Sequence, residues 1–139
     1  MTGRTWAGLI LSGLVAGVVY FLLTMLTLTF FAGGLLETLE DLPDYPKRSG
    51  AWFFAIDIGM GVWVLWLYVA ISKRYGRGAR TAVIAAAAWW IMKSLQSANW
   101  IGLGFVPSDV TLIPLATSLV STLGGVLTGA LLFEKLDRR

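Results

Sequence analysis

The residues best placed to do chemistry in this chain are two charges set among apolar neighbours, Asp57 and Lys93. No charged side chain lies between Arg4 and Glu37, between Asp57 and Lys73, between Arg80 and Lys93, or between Asp109 and Glu134. Inside such runs a carboxylate or an ammonium each costs roughly 2.5–3.5 kcal/mol at mid-membrane, so each is expected to have a partner. At ~1.5 Å per helical residue, Asp57 stands ~22 Å from Ser72 and Lys93 ~18 Å from Thr81. On two antiparallel helices joined by a short loop these depths nearly coincide, which predicts an Asp57–Lys93 ion pair. Two roles stay open for it: a proton or substrate site, or a pin that fixes the register of two helices. A neutralised pair carries no group that titrates near neutrality, which favours the pin.

Lys93 belongs to a polar stretch with Ser94, Gln96, Ser97 and Asn99. Trp89, Lys93, Gln96, Ser97 and Trp100 follow helical spacing and predict one polar face flanked by indoles. Such a face would line a small ligand or quinone pocket, or supply hydrogen bonds that hold helices together; the second reading is preferred. Small residues recur at four-residue steps as Gly8, Ser12 and Ala16, as Gly13 and Gly17, and as Thr117, Ser121, Gly125 and Gly129. That spacing lets backbones approach closely. It predicts packing of the first apolar run on the last, or pairing of two copies of the chain. Of the seven tryptophans, Trp6 and Trp52 fall at run ends, as in an aromatic belt. Trp63, Trp66, Trp89, Trp90 and Trp100 lie deeper and offer a rigid surface to lipid, quinone, carotenoid or partner helices.

These groups have to be positioned by membrane helices. Of 139 residues, 57% are hydrophobic and 14% are charged, against about 25% charged in an ordinary soluble domain. Four apolar runs, about 5–32, 51–72, 81–103 and 110–133, each exceed the ~20 residues that cross the hydrocarbon. Lone strands would leave backbone groups unpaired in lipid, so the runs are helical. Gly33-Gly34, Ser49-Gly50, Tyr75 to Gly78 and the stretch around Pro107 punctuate them. The expected fold is therefore a single all-α membrane domain over 1–139, a bundle of four transmembrane helices. The first run is too long for the core of a cleavable signal peptide.

Orientation follows from lysine and arginine. Arg4, Lys73, Arg74, Arg77, Arg80, Lys135, Arg138 and Arg139 would share one side, against only Lys47 and Arg48 on the other. Both termini are expected in the cytoplasm of a bacterial-type inner membrane. In the loop between the first two runs, Leu35, Leu36, Leu39 and Leu42 fall at helical spacing before Pro43. They predict a short amphipathic helix on the outer surface.

The composition also narrows function. With no cysteine and no histidine, disulfides, thiolate chemistry and the commonest metal ligands are missing. The excess of positive charge lies between apolar runs, where membrane orientation explains it better than nucleic acid. No phosphate-binding loop, metalloprotease motif or nucleophile elbow occurs, so an enzyme is not expected. The first functional expectation is a non-catalytic accessory or scaffold subunit of a larger membrane complex, for example a respiratory or photosynthetic one. The alternative is a small homo-oligomeric transporter or channel, with Asp57, Lys93, Gln96 and Asn99 along its path. No bound cofactor is predicted beyond contact with lipid, quinone or carotenoid, and the expected partners are lipids, other membrane subunits or further copies of the chain.

Overall fold

In a computed structural model of the protein, residues 3–31, 50–104 and 108–137 are described. They form four helices: α1 (Gly3–Phe31), α2 (Gly50–Tyr75), α3 (Ala79–Gly102) and α4 (Ser108–Asp137). The helices begin and end within a few residues of the apolar runs and extend past them at the charged ends of α2 and α4. Residues with large apolar side chains face outward all along the bundle; Phe30 is 75% exposed and Leu22 59%. A helix apolar around its whole circumference is solvated by lipid rather than by water. The outer helix expected at Leu35, Leu36, Leu39 and Leu42 lies outside the described residues.

Three helices, Thr5–Phe31, Gly50–Tyr75 and Thr111–Asp137, are long and apolar enough to cross a membrane. The expectation of four spans is corrected on this point. α3 is the shortest of the four, and Lys93, Ser94, Gln96, Ser97 and Asn99 bring its hydropathy below that of a span. It nevertheless runs the length of the bundle beside the others.

The helices stand at the corners of a square in which α1 and α3 are both flanked by α2 and α4, with the closest packing where α1 meets its two neighbours. Small residues explain that closeness. A Cβ added to Gly13 would lie 2.6 Å from the Val62 Cα, and one added to Gly17 would lie 2.6 Å from the Ile58 Cα. On the adjacent stripe, Gly125 faces the Ala16 carbonyl and Gly129 faces Ser12 and Ala16. The two small-residue stripes of α1 therefore seat different partners, α2 on one and α4 on the other. Ser12 and Ser121 are fully buried, and their hydroxyls have no hydrogen-bond partner among the described residues. Their small size is what the packing uses.

One end of the bundle is tied by polar contacts. α2 stops at Gly76, whose φ of 82° is open to glycine and whose N–H bonds back to the Ser72 carbonyl at 3.0 Å, a common left-handed helix ending. Gly78 has φ 128° and opens α3, while the Thr81 hydroxyl donates to the Gly76 carbonyl at 2.7 Å. Tyr68, fully buried, donates to Glu134 Oε1 at 2.5 Å and accepts from the Gly78 N–H at 3.2 Å. Arg77 pairs with Asp137 at 2.5 Å. Gly8 of α1 lies against the Phe133 ring and Leu136. The start of α1, the α2–α3 turn and the end of α4 thus share one end, together with Lys73, Arg74, Arg77, Arg80 and Lys135.

Candidate functional site

α2 and α3 bury residues against the bundle from mid-helix towards their turn. Gly61, Val64, Leu65, Tyr68 and Val69 are buried on α2, and Thr81, Ala82, Ala85 and Ala86 on α3. The alanines let α3 lie close there. Beyond Ala86 the bulky Trp89 and Trp90 take over, and Trp90 leans the other way, donating its indole N–H to the Leu115 carbonyl of α4 at 3.0 Å. Asp57 and Lys93 both lie in the far halves.

For that reason the expected Asp57–Lys93 ion pair does not form: Arg77–Asp137 is the ion pair found among the described residues. Lys93 instead turns across the bundle to α1, where its Nζ donates to the Tyr20 hydroxyl at 3.1 Å and sits 5.8 Å from the ring centroid. The neighbour that meets Lys93 is α1, not α2. Adjacent sequence pairing favoured α2, whereas the square packing brings the α1 diagonal within reach of a long lysine stem.

Around this contact the four helices converge on a cavity of about 10 Å³, with Tyr20, Met60, Gly61, Trp89 and Thr122 among its walls. That is room for about one water molecule. The Trp89 indole N–H and the Thr24 hydroxyl, one turn beyond Tyr20, are buried and have no hydrogen-bond partner among the described residues. Asp57 is half-buried. The site therefore combines one ammonium, one phenol and one carboxylate at a common level of the bundle. No cluster of metal-ligating side chains occurs among the described residues.

No family model, curated protein or solved structure matches this chain. What the site does must come from its own geometry.

The polar face expected on α3 is divided in two. Trp89, Lys93 and Ser97 are partly buried, while Gln96, Asn99 and Trp100 are exposed. Gln96 and Asn99 share an outward stripe with Met92 and Leu95, which are 62% and 68% exposed. Neither side-chain amide has a hydrogen-bond partner among the described residues. The four groups that would have lined one path thus point in different directions. Gln96 and Asn99 face away from the bundle, and Lys93 faces into it.

Sequence reasoning missed Tyr20, the residue that holds Lys93. A signal was present: Ser12, Ala16 and Tyr20 continue one four-residue stripe of α1, and a hydroxyl on a packing stripe is aimed inward. At ~1.5 Å per residue Tyr20 lies ~23 Å from Thr5, the depth of the other two groups. The tie between Tyr68 and Glu134 had no comparable signal, because neither residue stands on a small-residue stripe that would aim it inward.

Proposed function

We propose that this chain is a non-catalytic subunit that works by docking α3 onto another membrane protein, in a bacterial-type inner membrane with its basic end in the cytoplasm. The outward amides of Gln96 and Asn99 carry the reading. An unpaired amide facing hydrocarbon costs roughly 2–7 kcal/mol, and lipid tails offer no hydrogen bonds. A partner helix that supplies donors and acceptors removes that cost, and Met92 and Leu95 on the same stripe provide adaptable apolar contact. The low apolarity of α3 fits a helix that is covered in the assembled complex. Cytoplasmic placement of the basic end is supported by Lys73, Arg74, Arg77, Arg80 and Lys135 gathering there.

The transporter reading finds less support. Its path residues diverge, and the cavity beside Tyr20 has room for only about one water.

Purification from native membranes in mild detergent, followed by native mass measurement, tests the proposal. Stoichiometric larger subunits are expected, and Gln96→Leu with Asn99→Leu should release them while the helical circular dichroism is kept. A clean monomer or homo-oligomer from the unaltered chain overturns the proposal, and so does a complex indifferent to both substitutions.

A further inference from the structure

On a different face, α1 and α2 enclose an open groove of about 280 Å³ bordered by Trp6, Leu9, Ile10, Gly59, Trp63 and Trp66. The helices touch nearly backbone to backbone at Gly13, Gly17 and Gly61, and the indoles stand out on either side of that crossing. Trp63 and Trp66 stack with centroids 5.1 Å apart and planes 26° from parallel, forming one flat wall. At Gly59 an added Cβ would meet nothing within 4 Å, so the groove is open at that point.

The exposed stripe does not end with the indoles. Gly59, Trp63, Trp66, Ala70 and Lys73 are all exposed and advance by three or four residues, which keeps them on one face of α2. Lys73 lies ~10 Å beyond Trp66 along the axis, beside Arg74, at the basic end of the bundle. Neither residue forms an ion pair with an acid among the described residues.

We propose that this stripe is a binding site for one anionic phospholipid, with an acyl chain in the indole-walled groove and the phosphate at Lys73 and Arg74. A flexible methylene chain can follow the open groove between the indoles, whereas a helix with its side chains is a rigid rod ~10 Å across. The charge at its end fits a phosphate, and the rigid aromatic wall fits a flexible methylene chain. The site is independent of the α3 face proposed for protein docking.

The test uses the full chain in phosphatidylcholine nanodiscs carrying a minor fraction of bromine-labelled phosphatidylglycerol or phosphatidylcholine. Bromine quenches nearby indoles, so tryptophan fluorescence reports occupancy. The labelled phosphatidylglycerol should bind about fivefold or more tightly, the scale of one basic residue near an anionic headgroup. Lys73→Gln with Arg74→Gln should bring that preference close to one, while Arg80→Gln leaves it in place. At Gly59 a Cβ has open space, so Gly59→Leu projects its side chain into the groove; it should abolish the selective quenching while thermal unfolding is undiminished. Trp63→Phe with Trp66→Phe should remove most of the selective signal. Equal quenching by both lipids means unselective boundary lipid and overturns the proposal. So does selectivity that survives Gly59→Leu, or the absence of quenching, which would mean that another helix covers the groove.

Discussion

Substituting Gly61 by alanine should loosen the bundle far more than the same change at Gly59, half a turn away on α2. At Gly61 the new methyl would stand 2.5 Å from the Gly17 Cα and 2.6 Å from the Gly13 carbonyl oxygen. Ordinary contact begins near 3.4 Å, so α1 and α2 must part by about 1 Å. The obstructing atoms are backbone, so no rotamer change relieves them. A gap of that size forfeits a quarter to a half of the local dispersion energy, and overpacking of this kind costs about 1–3 kcal/mol. The clash at Gly61 falls at the upper end of that range. Both substitutions gain about 1 kcal/mol of helix propensity, and at Gly59, where nothing stands within 4 Å, that gain is the whole effect. The two variants should therefore differ by about 3 kcal/mol, roughly a hundredfold in the unfolding equilibrium. Titration from mild detergent into sodium dodecyl sulfate, followed by circular dichroism, measures it. A difference below about 0.5 kcal/mol would refute the close crossing. So would full additivity of Gly17→Ala with Gly61→Ala, because the first substitution already parts the helices.

Tyr20→Phe strips the Lys93 ammonium of its hydrogen bond and should cost about 1.5–3 kcal/mol; adding Lys93→Met should recover most of the loss in the same titration, and a silent Tyr20→Phe would sink the assignment. Tyr68→Phe removes a bond to a carboxylate and leaves the Gly78 N–H unpaired, again about 1.5–3 kcal/mol. Arg77→Gln should cost less than about 1 kcal/mol and lose its effect in high salt, because the Arg77–Asp137 pair is partly exposed. The opposite ranking of Tyr68 and Arg77 would contradict the geometry of that end. Since the chain lacks cysteine, a single Ala79→Cys, exposed beside the turn, should react with an impermeant maleimide only in inside-out vesicles; labelling of intact cells would reverse the proposed orientation.

Much of this architecture was legible because apolar length, glycine punctuation and basic clusters are local properties. Residues 79–102 were the exception. Their length predicted a span, but the polar run from Lys93 to Asn99 lowers the apolarity that length alone implies, and whether such residues face a partner, the core or lipid is a tertiary matter. The ion pair failed on the same ground. Depth along a helix follows from counting, whereas which helix lies across from Lys93 depends on how four helices share a square. The small-residue stripes were visible as two adjacent faces of α1, but their assignment, Gly13 and Gly17 to α2 and Ser12 and Ala16 to α4, needed the packing itself. The polar face of α3 was over-read as one surface because Gln96 and Lys93 are close in spacing but fall on opposite sides of the boundary between core and exterior.

The close fit of α1 against α4 bears on how the protein is made. Among the described helices α1 emerges first from the ribosome and the one carrying Gly125 and Gly129 last, so the groove beside Ser12 and Ala16 stays unfilled while α2 and α3 are made. α2 can dock on Gly13 and Gly17 early, since its crossing uses the other stripe, and the α2–α3 turn can form as soon as Gly78 is available. Closure of the bundle then waits on a contact of long sequence separation, the kind that forms slowly. During that interval the nascent chain offers the membrane insertion machinery an open seam, and a chain interrupted before α4 would present that seam to quality-control proteases.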